Sequence, residues 1–363
     1  MEGQNRQITI IQTAIILISA IVGVGVLALS RFAVWAADSG APLVTLFGFL
    51  VGLLGLWLTT KLGIRFPTQS IIQYSEGLIG NWVARIINLM IIVLFCFLAA
   101  LASREFGEVV VTSVLAKTPL EVTVIVMLLL AALSARADIT TFAYFHHFYF
   151  PIIIFPALLI VVFSLKDAHL INLLPPWGND PKSIFKGGIT MAALFQGSFV
   201  ITIIVPAMRR PEKAMLASYI GISIAGALYL LIVIATVGVF GSEEIKKLVW
   251  PTLELAKTTS LPANILERLD GAFLAVWVTA VFTTLLSSYY LAINFMSQLL
   301  RLHDHRLFTF FLVPFIYVIA MFPQNLLQMY AIIQIIGKWG LVFTIVYPLI
   351  LMIVAVIRQK KNI

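Results

Sequence analysis

"SAIVGVGVLALS", residues 19–30, lies inside an apolar run that begins near residue 8 and meets no charge before Arg31. Gly23 and Gly25 stand near its middle, although each glycine disfavours a helix by about 1 kcal/mol relative to alanine. The run is about 29 residues long. A straight helix of that length measures about 43 Å against a hydrocarbon core of about 30 Å, so the span tilts, breaks or protrudes. Two readings of the glycines stand side by side. Either they let a neighbouring helix approach closely, or they mark a break where a ligand reaches the backbone. Lipid tolerates such a break only where it lines a cavity inside the protein.

The rest of the chain has the same character. Its 363 residues are 61% hydrophobic and 11% charged, with mean hydropathy +1.04. Apolar runs of about 20 residues recur throughout, which predicts one all-α, polytopic membrane domain over 1–363. The runs read as ten spans, at about 8–36, 41–63, 81–115, 120–135, 142–165, 185–207, 215–240, 264–300, 306–323 and 327–357. The formal charge of +8 does not signal nucleic-acid binding. With a cytoplasmic N-terminus, 13 basic residues and five acids fall on the cytoplasmic side, against ten and eleven outside. That bias sets orientation. It predicts both termini in the cytoplasm, with the bilayer as partner and no nucleic acid. Cys96 is the single cysteine, so no intrachain disulfide forms, and the thiol reads as having no role.

A second glycine interruption, "ALFQGSFV" (193–200), falls in the sixth span, and Gly197 follows Gly25 by 172 residues. Two interrupted spans at corresponding places in two five-span halves predict a 5+5 inverted repeat, about 8–165 and 185–357, with helices 1 and 6 broken. Free N–H groups at a half-helix start attract an anion, and free carbonyls attract a cation. A zwitterionic amino acid suits such a site. The candidate ligand-binding residues are Ile21, Val22, Gly23, Val24, Gly25 and Val26 on the first span. Phe195, Gln196, Gly197 and Ser198 join them from the sixth span, and Phe97 from the third.

Other polar features are weighed against packing. "PTQSIIQYSEGLIG" (67–80) reads as a short amphipathic cytoplasmic stretch. "SEEIKKLVWPTLELAKTTS" (242–260) reads as an outer amphipathic segment, either a lid or a plain surface loop. Arg104 and Glu108, four apart, pair on one face of a third span whose outer end, with Glu105, extends into water. Lys338, about 16 Å down its helix from residue 327, is the intramembrane charge assigned an interior role. His146 and His147 point about 100° apart and do not share a metal. They and "HDH" (303–305) read as polar boundary residues. No HExxH, phosphate loop or supported catalytic triad occurs, so neither an enzyme nor a resident metal is expected.

Three segments carry a family resemblance: "ITIIQTAIILISAIVGVGVL" (8–27), "MRRPEKA" (208–214) and, most specifically, "WPTLELAKTTSLPANILERLDGAFLAVWV" (250–278). The chain resembles the membrane-embedded B subunit of bacterial spore germinant receptors, a branch of the amino acid–polyamine–organocation superfamily. That resemblance implies a subunit that senses a small nutrient germinant, often L-alanine. It also implies a larger A subunit and a C-subunit lipoprotein as partners, and the spore inner membrane as location. In sodium-coupled relatives of this broad fold, first-span carbonyls and eighth-span hydroxyls hold sodium. Thr284, Ser287 and Ser288 in "TTLLSSYYLAI" (283–293) resemble that set and form the candidate ion site, although Ser and Thr also join helices in membranes. Some proton-coupled relatives place a lysine in the fifth span instead. Here only Lys166 lies at that span's outer end, so sodium or proton coupling stays open. The expected function is germinant sensing at the two breaks. The alternative is ion-coupled amino-acid transport by alternating access.

Overall fold

The structure, a computed structural model, describes residues 7–178, 180–259, 269–302 and 304–358, with the backbone alone for 269–272. Arg6, Lys360 and Lys361 of the basic count, His303, and residues 260–268 of the "WPTLEL" stretch lie outside the described residues.

The described chain is helical, with one isolated backbone bridge between Ile8 and Met208. Helix α1 (Ile10–Ile21) starts at a capping box: Thr9 accepts from Gln12 N–H, and the Gln12 side chain accepts from Thr9 N–H. This satisfies two of the donors that a helix start leaves free. At Val22 the backbone turns extended, Val24–Val26 form one 3-10 turn, and α2 (Leu29–Ala37) resumes the span. Then come α3 (Ala41–Arg65), the short α4 (Ile71–Ile79), α5 (Asn81–Ser113), α6 (Leu120–Ser134) and α7 (Ile139–Ser164). The second half brings α8 (Pro181–Ala192), a 3-10 run over Ala193–Val200, α9 (Ile201–Ile204) and α10 (Ala214–Ile245). It ends with α11 (Pro251–Thr258), α12 (Leu269–Leu299), α13 (Val313–Met321), α14 (Leu326–Leu341) and α15 (Tyr347–Ile357).

Among the described residues, seven helical stretches are long and apolar enough to cross a membrane, and α1 and α6 are shorter apolar helices. The chain is therefore an all-α, multi-pass membrane protein. Helix length alone does not reach the ten spans read from the sequence.

The sixth span departs from expectation in one respect. Its interruption spans Ala193–Val200, where the glycine motif places it, but it is tightened and not unwound. A 3-10 segment bonds i to i+3, so its carbonyls are spent inside the segment.

Contacts sort the loops onto two ends. At one end Ile8 pairs with Met208, Arg65 donates to Ala355 O, Arg301 and Arg85 bind Glu76, and Arg306 donates to Arg136 O. These positions carry the basic excess. Glu76, outside the spans, is raised by partial burial but more strongly lowered by its bonds to Arg85 and Arg301, for a net fall below the usual carboxylate value. At the other end Lys246 binds Asp38 at 2.5 Å, which with Glu243 raises the lysine above its usual value. Helix α11 packs there, against α2 and α12.

Candidate functional site

The broken first span crosses the tightened sixth span near its own break. Gly197 makes this crossing possible. A side-chain carbon built there would lie 2.7 Å from the Ala20 carbonyl carbon, and closer to its oxygen. Gly23 serves a second crossing. Its Cβ would meet Thr284 Cβ at 2.7 Å and Ala280 O at 2.8 Å. Gly25 is less confined, since the near atom is the tip of the Leu194 side chain, at 2.7 Å. The two glycines thus differ in their surroundings: Gly23 packs against α12, and Gly25 lines a cavity.

That cavity has a volume of about 120 Å³. Ile21, Val24 and Gly25 of the first span line it, with Gln196 and Gly197 of the sixth. Thr284 and Ser288 of α12 complete one wall. From α5 come Leu98, Leu101, Ala102 and Glu105, and Tyr229 of α10 joins them.

The break separates its donors from its acceptors. Tyr229 Oη donates to Ile21 O at 2.6 Å, Thr252 Oγ1 to Val26 O at 2.7 Å, and Thr283 Oγ1 to Ser19 O at 3.0 Å. Side chains from α10, α11 and α12 therefore cap three of the carbonyls at the break. The N–H groups of Gly23, Val24 and Gly25 precede the turn closed by Val26 N–H to Gly23 O and have no acceptor among the described residues. Free donors at the start of a helical segment are the kind of group that attracts an anion.

Several sequence-predicted residues lie elsewhere. Val22 and Val26 are buried beside the cavity and do not line it, and neither does Gly23. Phe97 is half-buried and off the cavity, because α5 presents the 98–101–102–105 stripe instead. Phe195 and Ser198 face α3, lining a small void with Gly52, Gly55 and Thr59. Of the candidate ion ligands, Ser287 turns away to α7, 3.3 Å from His146 Nε2. Thr283, not Thr284, makes the shorter bond to Ser19 O.

Three expectations are corrected. Lys338 is exposed on the outer surface of the bundle, while its neighbours Gly337 and Gly340 face inward, so it has no interior role. His146 is no boundary residue: it is wholly buried, with its ring tilted against Phe142. Arg104 and Glu108 do pair, at 2.8 Å, but Arg104 and Glu105 are buried by protein and do not extend into water. His305 bonds to the Ala135 and Ala137 carbonyls.

Sequence reasoning missed Glu105, Tyr229, Thr252 and Tyr330. Glu105 was legible in principle: 98, 101, 102 and 105 follow the i, i+3, i+4, i+7 pattern of one helix face. The other three act from helices distant in sequence.

The family model for spore germination proteins matches residues 7–329. The chain belongs to that family. It is 26% identical to spore germination protein YndE of Bacillus subtilis, over 99% of each chain. It is 24% identical to spore germination protein B2 of the same organism, over 99% of this chain and 98% of that one. Its fold is similar to the crystal structure of a manganese transporter of Eremococcus coleocola, with TM-score 0.66 at 16% identity, covering 92% of this chain and 75% of that one. This spore germination family protein thus has a transporter-like fold, and neither family nor fold points to an enzyme.

Proposed function

We propose that this chain is the membrane-embedded sensing subunit of a spore germinant receptor, and that it binds a small amino acid such as L-alanine in the cavity between the first and sixth spans. The observation that carries the reading is the pair of free N–H groups at Val24 and Gly25, both residues that line the cavity. They suit the ligand carboxylate, and the Ser19, Ile21 and Val26 carbonyls beside them are already capped by side chains. Size supports the class. An engineered cavity of about 150 Å³ holds benzene, so one of about 120 Å³ takes roughly six non-hydrogen atoms, the size of alanine.

In this reading the halves about 8–165 and 185–357 form the 5+5 repeat, both termini are cytoplasmic, and the membrane is the spore inner membrane. Ligand closure of the site biases contacts with the A subunit and the C-subunit lipoprotein. A ligand shifts such an equilibrium only by its differential affinity for the two states.

The transporter-like fold favours a second reading, amino-acid transport by alternating access, with Thr284 and Ser288 as candidate sodium ligands. Manganese, named for the structural neighbour, finds no support: among the described residues no group of three His, Cys, Asp or Glu side chains could hold a metal ion. Binding and uptake of labelled L-alanine by the purified chain in proteoliposomes, beside germination of a deletion strain, test both. Sensing predicts saturable binding, little net uptake and a germination defect. Concentrative uptake with normal germination would establish the transporter. Equal affinity in sodium and in choline would remove the sodium site.

A further inference from the structure

The tightened sixth span leaves an ammonium group without the free carbonyls that a fully unwound break would offer. The cavity supplies acceptors from elsewhere. Glu105 lines it from α5 and is only 2% exposed. One of its oxygens, Oε1, accepts from Tyr330 Oη at 3.1 Å; the other has no donor among the described residues. No basic side chain among the described residues forms an ion pair with it. Its sequence neighbour Arg104 is engaged with Glu108, and Arg31 lies over the Trp35 ring at 4.3 Å. Gln196 lines the cavity from the sixth span and is 4% exposed. Its Nε2 donates to Gly337 O at 2.5 Å, which orients the amide, and its Oε1 is buried with no partner.

A buried carboxyl group without a cationic partner and a buried amide oxygen without a donor each carry a desolvation cost. Both residues line one cavity of small-ligand size. An ammonium group has three N–H donors and one positive charge, which match this pair of acceptors. We propose that Glu105 and Gln196 form an ammonium subsite, so that the ligand's amine is held by α5 and the Gln196 side chain and not by sixth-span carbonyls. This deepens the amino-acid reading and rests on it for the carboxylate end alone; the subsite itself admits any small primary ammonium ion.

The subsite reaches the protein surface through one chain of bonds. Trp250 Nε1 donates to Tyr330 Oη at 2.8 Å, and Tyr330 donates to Glu105. Trp250 leads directly into α11, whose Thr252 caps Val26 O at the break. An ammonium that draws on Glu105 therefore acts on the same outer helix that closes over the first-span break.

The test uses the full chain in nanodiscs and three probes: L-alanine, ethylammonium without a carboxylate, and propanoate without an amine. Wild type should bind L-alanine and, more weakly, ethylammonium. Glu105→Gln should weaken both by about 10- to 100-fold, the loss of one charge-assisted bond, and leave propanoate unchanged. Gln196→Leu should weaken both amines by a smaller factor. Tyr330→Phe, which leaves both acceptors in place, should keep ethylammonium affinity within about threefold of wild type and guards against a general loss of fold. Unchanged L-alanine affinity in Glu105→Gln overturns the subsite while the amino-acid reading stands. Ethylammonium binding that needs Glu105, with no L-alanine binding, upholds the subsite and overturns the amino-acid reading. Failure of wild type to bind either amine overturns both.

Discussion

Adding one methyl group at Gly197 tests whether the crossing of the two central spans is as tight as described. The new Cβ would sit 2.7 Å from the Ala20 carbonyl carbon and 3.3 Å from Ile21 N. Carbon contacts prefer about 3.5–4.0 Å, so the two backbones would have to part by about 1 Å. Neither is a side chain that can rotate away. Alanine returns about 1 kcal/mol of helix propensity, and overpacking a well-filled site costs about 1–3 kcal/mol, with a backbone clash at the upper end. The expected net loss is about 2 kcal/mol. Gly25→Ala is the matched control. Its Cβ meets only the Leu194 side chain, at 2.7 Å to the nearest atom and 3.7 Å to the next, so a rotamer change relieves it and the cost stays below about 1 kcal/mol. SDS-driven unfolding of both purified variants in mixed micelles gives the comparison. Wild-type stability in Gly197→Ala, or a larger loss in Gly25→Ala, would refute the reasoning.

Two further outcomes follow from capping and charge. Tyr229→Phe removes the buried donor to Ile21 O and should cost about 1–3 kcal/mol in the same unfolding assay; a neutral result would mean that the broken helix end is satisfied in another way. Glu76 is lowered below its usual value of 4.5 by Arg85 and Arg301, so its stabilisation is complete above pH 4.5 and lost as pH falls through the depressed folded value. The partners are 43% and 65% exposed, which limits the effect to about 0.5–1 kcal/mol. The stability gap between wild type and Glu76→Gln should be open at pH 7 and closed near pH 3, and a constant gap would exclude the ion pair as its source.

The class of the protein and the places of its two interruptions were legible in local sequence. Apolar run length decides membrane insertion, and a glycine pair in such a run decides where the helix weakens, because both depend on residues within a few turns of each other. What the glycines do was not local. Gly23 packs because Thr284 and Ala280 stand against it, while Gly25 opens because only a flexible leucine does. The burial of His146 and Glu105 and the exposure of Lys338 depend on which helix face meets which neighbour. A hydropathy profile is blind to that in a span apolar all round. The carbonyl caps from Tyr229, Thr252 and Thr283 lie more than 200 residues from the break they serve. Only the tertiary fold could bring them there, to cap three carbonyls of the break beside N–H groups that stay free.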